Sequence, residues 1–305
     1  MKKILVTGGT TFVSKYVAEY FLQHDYDVYV LNRNNKPQLE GVNLIEADRH
    51  DLGYKLAGLH FDVVADVTAY DEEDVADLLA ALDTYDRYIL ISSSAVYPEN
   101  GIQPFMENSE LAVNNFWRKY GTDKIAAEKY LLANSSHAYI LRPPYLYGPM
   151  NNVYREAFVF ECAEKDRHFY IPQDGNMKLQ FFHVRDLCIF MKKIIDINPE
   201  NHIFNVGNKE TVSVKKWVEM CYQCLGKIPK FIEVHEDIIE RKYFSFYNYE
   251  YYLNVDKQSE LLIETTDLQT GLEESYDWYM KNKNEVVKKP YIDFIDENLI
   301  KLTRR

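Results

Sequence analysis

Tyr120 and Lys124 stand four residues apart in Tyr-Gly-Thr-Asp-Lys, and the run that continues through Ile-Ala-Ala-Glu-Lys-Tyr-Leu has strong helix-forming character. Residues four apart share one face of a helix, so phenol and ammonium fall side by side. A tyrosine of ordinary pKa, about 10, is a poor acid or base at neutral pH, and a neighbouring ammonium lowers it. The pair is therefore a workable proton-transfer device. A second Tyr-x-x-x-Lys, Tyr279 to Lys283, has no following sheet strand and reads as a surface helix pair. Upstream, Ile89-Leu90-Ile91 runs into Ser92-Ser93-Ser94, an apparent strand ending in three hydroxyls. A hydroxyl there faces the same strand-end crevice as Tyr120 and can hold a substrate oxygen while the tyrosine moves the proton.

A redox partner for that device is suggested by the first strand-to-helix turn, Thr7-Gly-Gly-Thr-Thr-Phe-Val-Ser14. A dinucleotide loop of spacing G-x-x-G-x-x-G uses its glycines for the tight turn, for approach to the pyrophosphate and for helix packing. Here the three positions read Gly8, Thr11 and Ser14. Gly8-Gly9 keeps the turn and Ser14 is small enough to pack. Thr11 is the departure: it either occupies phosphate space or offers its hydroxyl beside the amides of a helix N-terminus. The competing reading is a tight turn with an N-capping threonine. The second strand ends in Asn32-Arg33, with no carboxylate for ribose hydroxyls, and an arginine there leans towards NADP. Asp48, after the third strand, is placed either to meet an adenine amino group or to cap a following helix.

These residues need a scaffold that brings strand ends together. Short apolar runs occur at 3–6, 27–31, 42–45, 62–65, 87–91 and 139–141, with helical periodicity between several of them. Strands alternating with helices imply a doubly wound parallel sheet, which binds ligands at the carboxyl ends of its strands. After Arg142 the pattern breaks at Pro143-Pro-Tyr-Leu-Tyr-Gly-Pro149, which cannot be helical. Helices are expected at about 153–165, 184–195 and 214–225, with a strand at 203–206 and an aromatic-rich region at 231–257. The division expected is a nucleotide-binding domain over 1–150, to which about 184–208 returns, and a smaller α+β substrate-binding cap over 151–305.

Composition narrows the function classes. The 305 residues are 47% hydrophobic and carry a net charge of −12, which argues against a phosphate-backbone partner. No segment approaches the roughly 18 apolar residues of a membrane span, and the N-terminus does not read as a signal peptide. Cys162, Cys188, Cys221 and Cys224 fall within apparent helices, which fits a reducing cytoplasm. Cys221-x-x-Cys224 lacks a second pair and reads as a helix face with Trp217 rather than a zinc or redox centre; no metal is expected.

The segments ILVTGGTTFVS, SSSAVYP, YGTDKIAAEKYL, LRPPYLYGP, FFHVRDL and IFNVGN, in this order over about residues 1–225, resemble the extended short-chain dehydrogenase/reductase family, the NAD-dependent epimerase/dehydratase group. The resemblance implies a Rossmann domain with a smaller C-terminal substrate domain, and NAD or NADP as cofactor. It makes Tyr120 the catalytic tyrosine and Lys124 the lysine that holds the nicotinamide ribose. Ser93, counted back from Val96-Tyr97, takes the place of the catalytic hydroxyl, with Ser94 as the fallback. Thr7, Gly8, Gly9, Thr10, Thr11, Phe12 and Val13 become the pyrophosphate site, Asp48 the adenine contact, and Ser92, Pro143 and Pro144 neighbours of the cofactor. Ser93, Ser94, Tyr145 and Arg185 are the substrate-side residues.

Departures from the family's pattern refine this. Ser94-Ala95 stand where dehydratases carry Asp-Glu, which disfavours dehydration. Tyr145 replaces an asparagine common in sugar-nucleotide epimerases, and Leu179 replaces an arginine that meets a substrate diphosphate; Lys178, Arg155 and Arg185 are the alternatives. His183 reads as a structural hydrogen-bonder. The resulting expectation is an epimerase or reductase of a sugar-like, possibly nucleotide-sugar, alcohol or ketone, acting on a small molecule as a monomer or homodimer. Two other classes stand beside it: a catalytically silent NAD(P)-binding sensor, and an RNA-binding relative of the kind with a G-G-T-R-F-type loop.

Overall fold

The apolar runs form one parallel sheet of seven strands: β1 (Lys3–Thr7), β2 (Asp27–Asn32), β3 (Asn43–Glu46), β4 (Val63–Asp66), β5 (Tyr88–Ile91), β6 (Ala138–Arg142) and β7 (Ile203–Asn205). The computed structural model describes residues 1–235 and 237–300. The strand order is 7-6-5-4-1-2-3. Every neighbouring pair is parallel; Val6 of β1, for instance, lies opposite Val30 of β2 on one side and Ala65 of β4 on the other. The chain therefore winds outward in both directions from β1 and β4, and the crevice of such a sheet opens at their carboxyl ends.

Both faces are covered, which is why the strands are apolar throughout instead of alternating with polar residues. Ile4 and Val6 turn to one side, where they meet Val17 and Phe21 of helix α1 (Phe12–Leu22) and Leu187, Met191 and Ile194 of the helix Val184–Ile197. Leu5, with Val64, Leu90 and Ile140, turns to the other, against Val75 and Leu78 of α2 (Glu72–Ala81) and Ala127 and Leu131 of α3 (Lys119–Asn134). Each of these side chains is fully buried.

The chain divides into two compact units. The first comprises Met1–Leu146, Phe181–Lys209 and Tyr252–Thr265, and holds the whole sheet. The second comprises Tyr147–Gln180, Glu210–Tyr251 and the residues from Thr266 onward. In it the helices Glu156–Glu164, Val214–Gln223 and Leu268–Lys281 pack together beside a parallel pairing of Phe169–Pro172 with Phe231–Val234. Its core is aromatic: Trp217 lies edge-on to Phe246, and Phe169 edge-on to Tyr222 and Phe244.

Three expectations need adjustment. The helix expected from about residue 153 begins at Glu156, because Asn151 takes the Val153 amide and its side-chain nitrogen donates to Glu156, which holds the preceding residues in a turn. No helix follows Asp48; residues 49–59 run in turns, so capping is not its role. Tyr279 and Lys283 are not a surface helix pair. The helix ends at Lys281 and Tyr279 is buried, with its hydroxyl on Glu164; the Lys283 ammonium meets the same carboxylate at 2.5 Å. Among the described residues no helix is long and apolar enough to cross a membrane. Cys221 and Trp217 are buried, and burial pushes all four thiols up, Cys224 to about 12, so these cysteines pack and are not reactive thiolates.

One buried ion pair ties α3 to the sheet. Arg142, at the end of β6, forks onto Glu128 of α3 at 2.6–3.2 Å, with both side chains 2% exposed. Glu128 also accepts from Ser92 at the end of β5, and Arg142 donates to the Tyr97 hydroxyl and the Glu107 carbonyl. Removing one partner strands the other charge, so Glu128→Leu is expected to cost about 3–5 kcal/mol in urea unfolding. The double replacement Glu128→Leu/Arg142→Met should cost clearly less than the single one; equal losses would show that packing, not the charge pair, carries the contact.

Candidate functional site

At the carboxyl end of β1 the backbone turns through Gly8 and Gly9, with φ of +92° and +90°, a region side-chain-bearing residues rarely adopt. Space is also closed to a side chain: a Cβ on Gly9 would stand 2.6 Å from Val30 Cγ1, and one on Gly8 2.8 Å from the Ser14 hydroxyl. The Gly8 amide donates to the Leu31 carbonyl and the Asn32 side chain donates to the Gly8 carbonyl at 2.6 Å, which stitches the loop to the end of β2. Ser14 is buried against Gly8 and bonds the Thr11 carbonyl, so the third glycine position is filled by a side chain the loop itself uses.

Thr11 is the N-cap residue of α1, but its hydroxyl makes no capping bond. It accepts instead from the Lys36 ammonium at 3.3 Å. Thr10 and Val13 flank it half-buried, and Phe12 begins the helix at the strained φ of +33°. Thr7 departs from its expected place at the cofactor. It is 1% exposed; its hydroxyl donates to Asp66 at 2.7 Å and accepts from the amides of Val67 and Thr68, so it braces the loop from beneath. Asp66 gathers further donors, Tyr88 and Arg49, whose Nη2 reaches both carboxylate oxygens.

Beyond the loop lies a cavity of ≈ 400 Å³ lined by Gly8, Asn32, Arg33, Asp48, Arg49 and Tyr70 among others, within the usual ~300–1,000 Å³ of small-molecule sites. Arg33 and Asp48 face each other at 4.0 Å, both well exposed, a pair of little energetic weight. Asp48 also accepts the His50 amide. Arg49 is nearly buried between Asp66 and Asp74. Sequence reading missed Arg49 and Asp66: nothing local to Ala47-Asp-Arg-His50 signals that this arginine turns inward. The doubled positive-φ glycines, the open helix N-terminus and the adjoining cavity fit a dinucleotide.

The proton-transfer residues assemble at the ends of β5 and on α3. Of the three serines, Ser93 is the one whose hydroxyl lies near enough to lower the Tyr120 phenol, and the same hydroxyl accepts from the Ala95 amide at 3.1 Å. Ser92 is buried on Glu128, and Ser94 is buried at the start of a single 3-10 turn, its amide on the Pro143 carbonyl. The chain direction dictates this, since successive side chains at a strand end point to opposite sides. Pro143 and Pro144 are buried behind that turn. Helix α3 comes close because residue 121 is glycine; a Cβ there would run into the Ala95 carbonyl oxygen.

Lys124 is 3% exposed and donates to the carbonyls of Ala69 at 2.5 Å and Ile91 at 3.0 Å. Those two bonds hold its ammonium over ring faces, 5.5 Å from the Tyr70 centroid and 5.9 Å from that of Tyr120. The expected lowering of the phenol by the ammonium is accordingly not what the structure has. Burial pushes Tyr120 above its ordinary value, the Ser93 hydrogen bond pulls it down, and Tyr70 pushes it up. Burial holds Lys124 down to about 8, with Asp66 and Glu128 pulling the other way.

The remaining candidates stand elsewhere. Tyr145 lies against Phe181 with ring centroids 6.1 Å apart. Arg185, half-buried, opens the helix Val184–Ile197, and its amide donates to His183 Nδ1. His183 is fully buried, and burial holds it down to about 3, so it is a neutral helix cap. In the second unit Arg155 is paired with Glu156 at 2.8 Å, Leu179 is buried and Lys178 is exposed.

Residues 4–207 match the model of the NAD dependent epimerase/dehydratase family. The chain is 28% identical over 301 residues to the chloroplast stem-loop binding protein of 41 kDa b of Arabidopsis thaliana, covering 90% of this chain and 78% of that protein. It is 25% identical over 268 residues to a UDP-glucose 4-epimerase of Corynebacterium glutamicum, covering 73% and 80%. The dTDP-glucose 4,6-dehydratase of Bacillus anthracis, solved in complex with NAD, superimposes with a TM-score of 0.75 at 18% identity, over 94% of this chain and 99% of that one. That likeness places the parallel sheet among Rossmann-type folds.

The buried ammonium makes a pH-dependent prediction. Folded Lys124 gives up its proton near 8, whereas in the unfolded chain it keeps it to about 10.4. Between those values the unfolded state binds more protons, so this residue's contribution to stability rises with pH there and is least favourable below 8. The stability of the wild type relative to Lys124→Met, from urea unfolding, is expected to climb from about pH 8 to about pH 10. A flat difference would mean the ammonium is solvated.

Proposed function

The chain belongs to the NAD dependent epimerase/dehydratase family, and on that premise we propose that it is an NAD(P)-dependent epimerase or reductase acting on a hydroxyl or ketone of a sugar-like substrate. The observation that carries the reading is the Ser93 hydroxyl beside the Tyr120 phenol, with the buried Lys124 ammonium 5.9 Å from the centre of its ring. Ser93 aligns the substrate oxygen with Tyr120. Tyr120 takes the proton of that hydroxyl on oxidation and returns one on reduction. A phenol raised by burial is held protonated, ready to give its proton to the substrate oxygen on reduction. Before it takes one on oxidation it must release its own proton to solvent, and the neighbouring Ser93 hydroxyl stabilises the phenolate that results. Gly8–Val13, Asn32, Arg33 and Asp48 would hold the dinucleotide, with Lys124 at its nicotinamide end. When bound, the nicotinamide supplies the acceptor and donor of the substrate's two electrons. UDP-glucose, named for the Corynebacterium relative, is the first substrate to test.

Asn32 is spent on Gly8 and leaves no carboxylate to receive ribose hydroxyls, while Arg33 stands exposed beside it, which supports a preference for NADP. Fluorescence titration should give tighter binding of NADPH than of NADH; the reverse order would refute the preference. The name of the Arabidopsis relative supports a second reading, RNA binding, against which the net charge of −12 weighs. Filter binding across a salt series separates the two. Tyr120→Phe is expected to abolish turnover, a loss of at least about a hundredfold, with nucleotide affinity unchanged. Turnover surviving in that variant would remove the tyrosine from its role.

A further inference from the structure

The loop after β2 places an ammonium where the glycine fingerprint is broken. Asn32 and Gln38 interlock through their side-chain amides at 3.0 and 3.2 Å, and Gln38 also donates to the Lys36 carbonyl at 2.9 Å. This folds 33–38 back on itself, with Pro37 stiffening the return. Lys36 is thereby brought over the start of α1, where its ammonium donates to Thr11 Oγ1. Among the described residues that hydroxyl is its only polar side-chain partner, and no carboxylate stands within ion-pairing distance. The first turn of α1 carries no acidic residue.

The electrostatics of that arrangement are one-sided. A helix N-terminus bears partial positive charge and unpaired amides. A cation held against it is unfavourable unless an anion lies between or beside them. The Thr11 hydroxyl, which does not cap its helix, points to the ammonium with its own proton still available to donate. Amides, hydroxyl and ammonium together form a complete set of donors with no acceptor.

We propose that Lys36 is a ligand of the dinucleotide's pyrophosphate, and that the Thr11–Lys36 pair does in this chain what close backbone approach at a glycine does in a G-x-x-G-x-x-G loop. This rests on the dinucleotide reading of the site given above. The pyrophosphate, not the 2′-phosphate, is the group assigned, because the ammonium is held at Thr11 at the helix start, whereas Arg33 stands at the ribose end facing Asp48. Asn32 thus acts twice, since besides bracing Gly8 it anchors the loop that delivers the lysine.

The test is fluorescence titration of NADH and NADPH against the full chain, wild type beside Lys36→Met and Thr11→Val, with each titration repeated over a salt series. Lys36→Met should weaken both nucleotides by a similar factor, about tenfold for one lost charge-assisted contact, and flatten the salt dependence of both. Thr11→Val should weaken both in the same sense. Unchanged affinities in Lys36→Met would overturn the assignment, and so would a loss confined to NADPH, which would move the lysine to the 2′-phosphate. Wild-type protein that binds neither nucleotide would overturn the dinucleotide reading itself, and this assignment with it.

Discussion

The approach of helix α3 to the ends of β5 and β6 is the constraint on which the site depends. Two features permit it. Gly121 leaves room for the Ala95 carbonyl, so the helix can lie directly on the 3-10 turn after β5. Two turns further along, Glu128 is locked to Arg142 and Ser92 in a buried network that fixes the helix along its axis. Tyr120 and Lys124 lie between or beside these two anchors on the same helix, and Ser93 lies between Ser92 and the turn. The approach of Ser93 to Tyr120 is therefore a consequence of packing, and a helix shifted by even one residue would undo it.

The same burial that positions these groups sets their protonation. An ammonium at 3% exposure is costly, and two carbonyl acceptors with the Asp66 and Glu128 charges offset only part of that cost. A phenol in the same region is pushed the other way, towards its neutral form. Burial thus biases both groups towards the uncharged state. A lysine near 8 still carries its proton at neutral pH, so the pair at rest is an ammonium beside a neutral phenol.

The phosphate end follows a different physical logic. There the donors are collected from separate segments: loop amides from 9–12, a hydroxyl from Thr11 and an ammonium from Lys36. Thr7 and Asp66, buried beneath, keep the loop's base rigid by satisfying the amides of Val67 and Thr68. Rigidity below and open donors above are what an anion site needs, and they arise here with one glycine position filled by threonine and another by serine.

Local chemistry made much of this legible in the sequence. The apolar runs predicted six of the seven sheet strands within a residue or two and the seventh, 203–206, as a strand returning to the sheet, because strands covered on both faces must be apolar. Gly8-Gly9 marked a turn only glycine can make, and the spacing of Tyr120 and Lys124 put them on one helix face; these are properties of a few neighbouring residues. What depended on distant partners could not be read. That Ser92 is spent on a buried carboxylate is decided by Glu128, 36 residues away. The inward turn of Arg49 is decided by Asp66, and the burial of Tyr279 by Glu164. The spacing alone aims Lys124 at the phenol oxygen, yet the carbonyls of Ala69 and Ile91 hold it over the ring. The sequence by itself determined the elements and the residue types at their ends, because backbone sterics and periodicity act locally. Only the tertiary structure decided which polar groups satisfy one another, because a buried donor takes whatever acceptor the folded chain brings within about 3 Å.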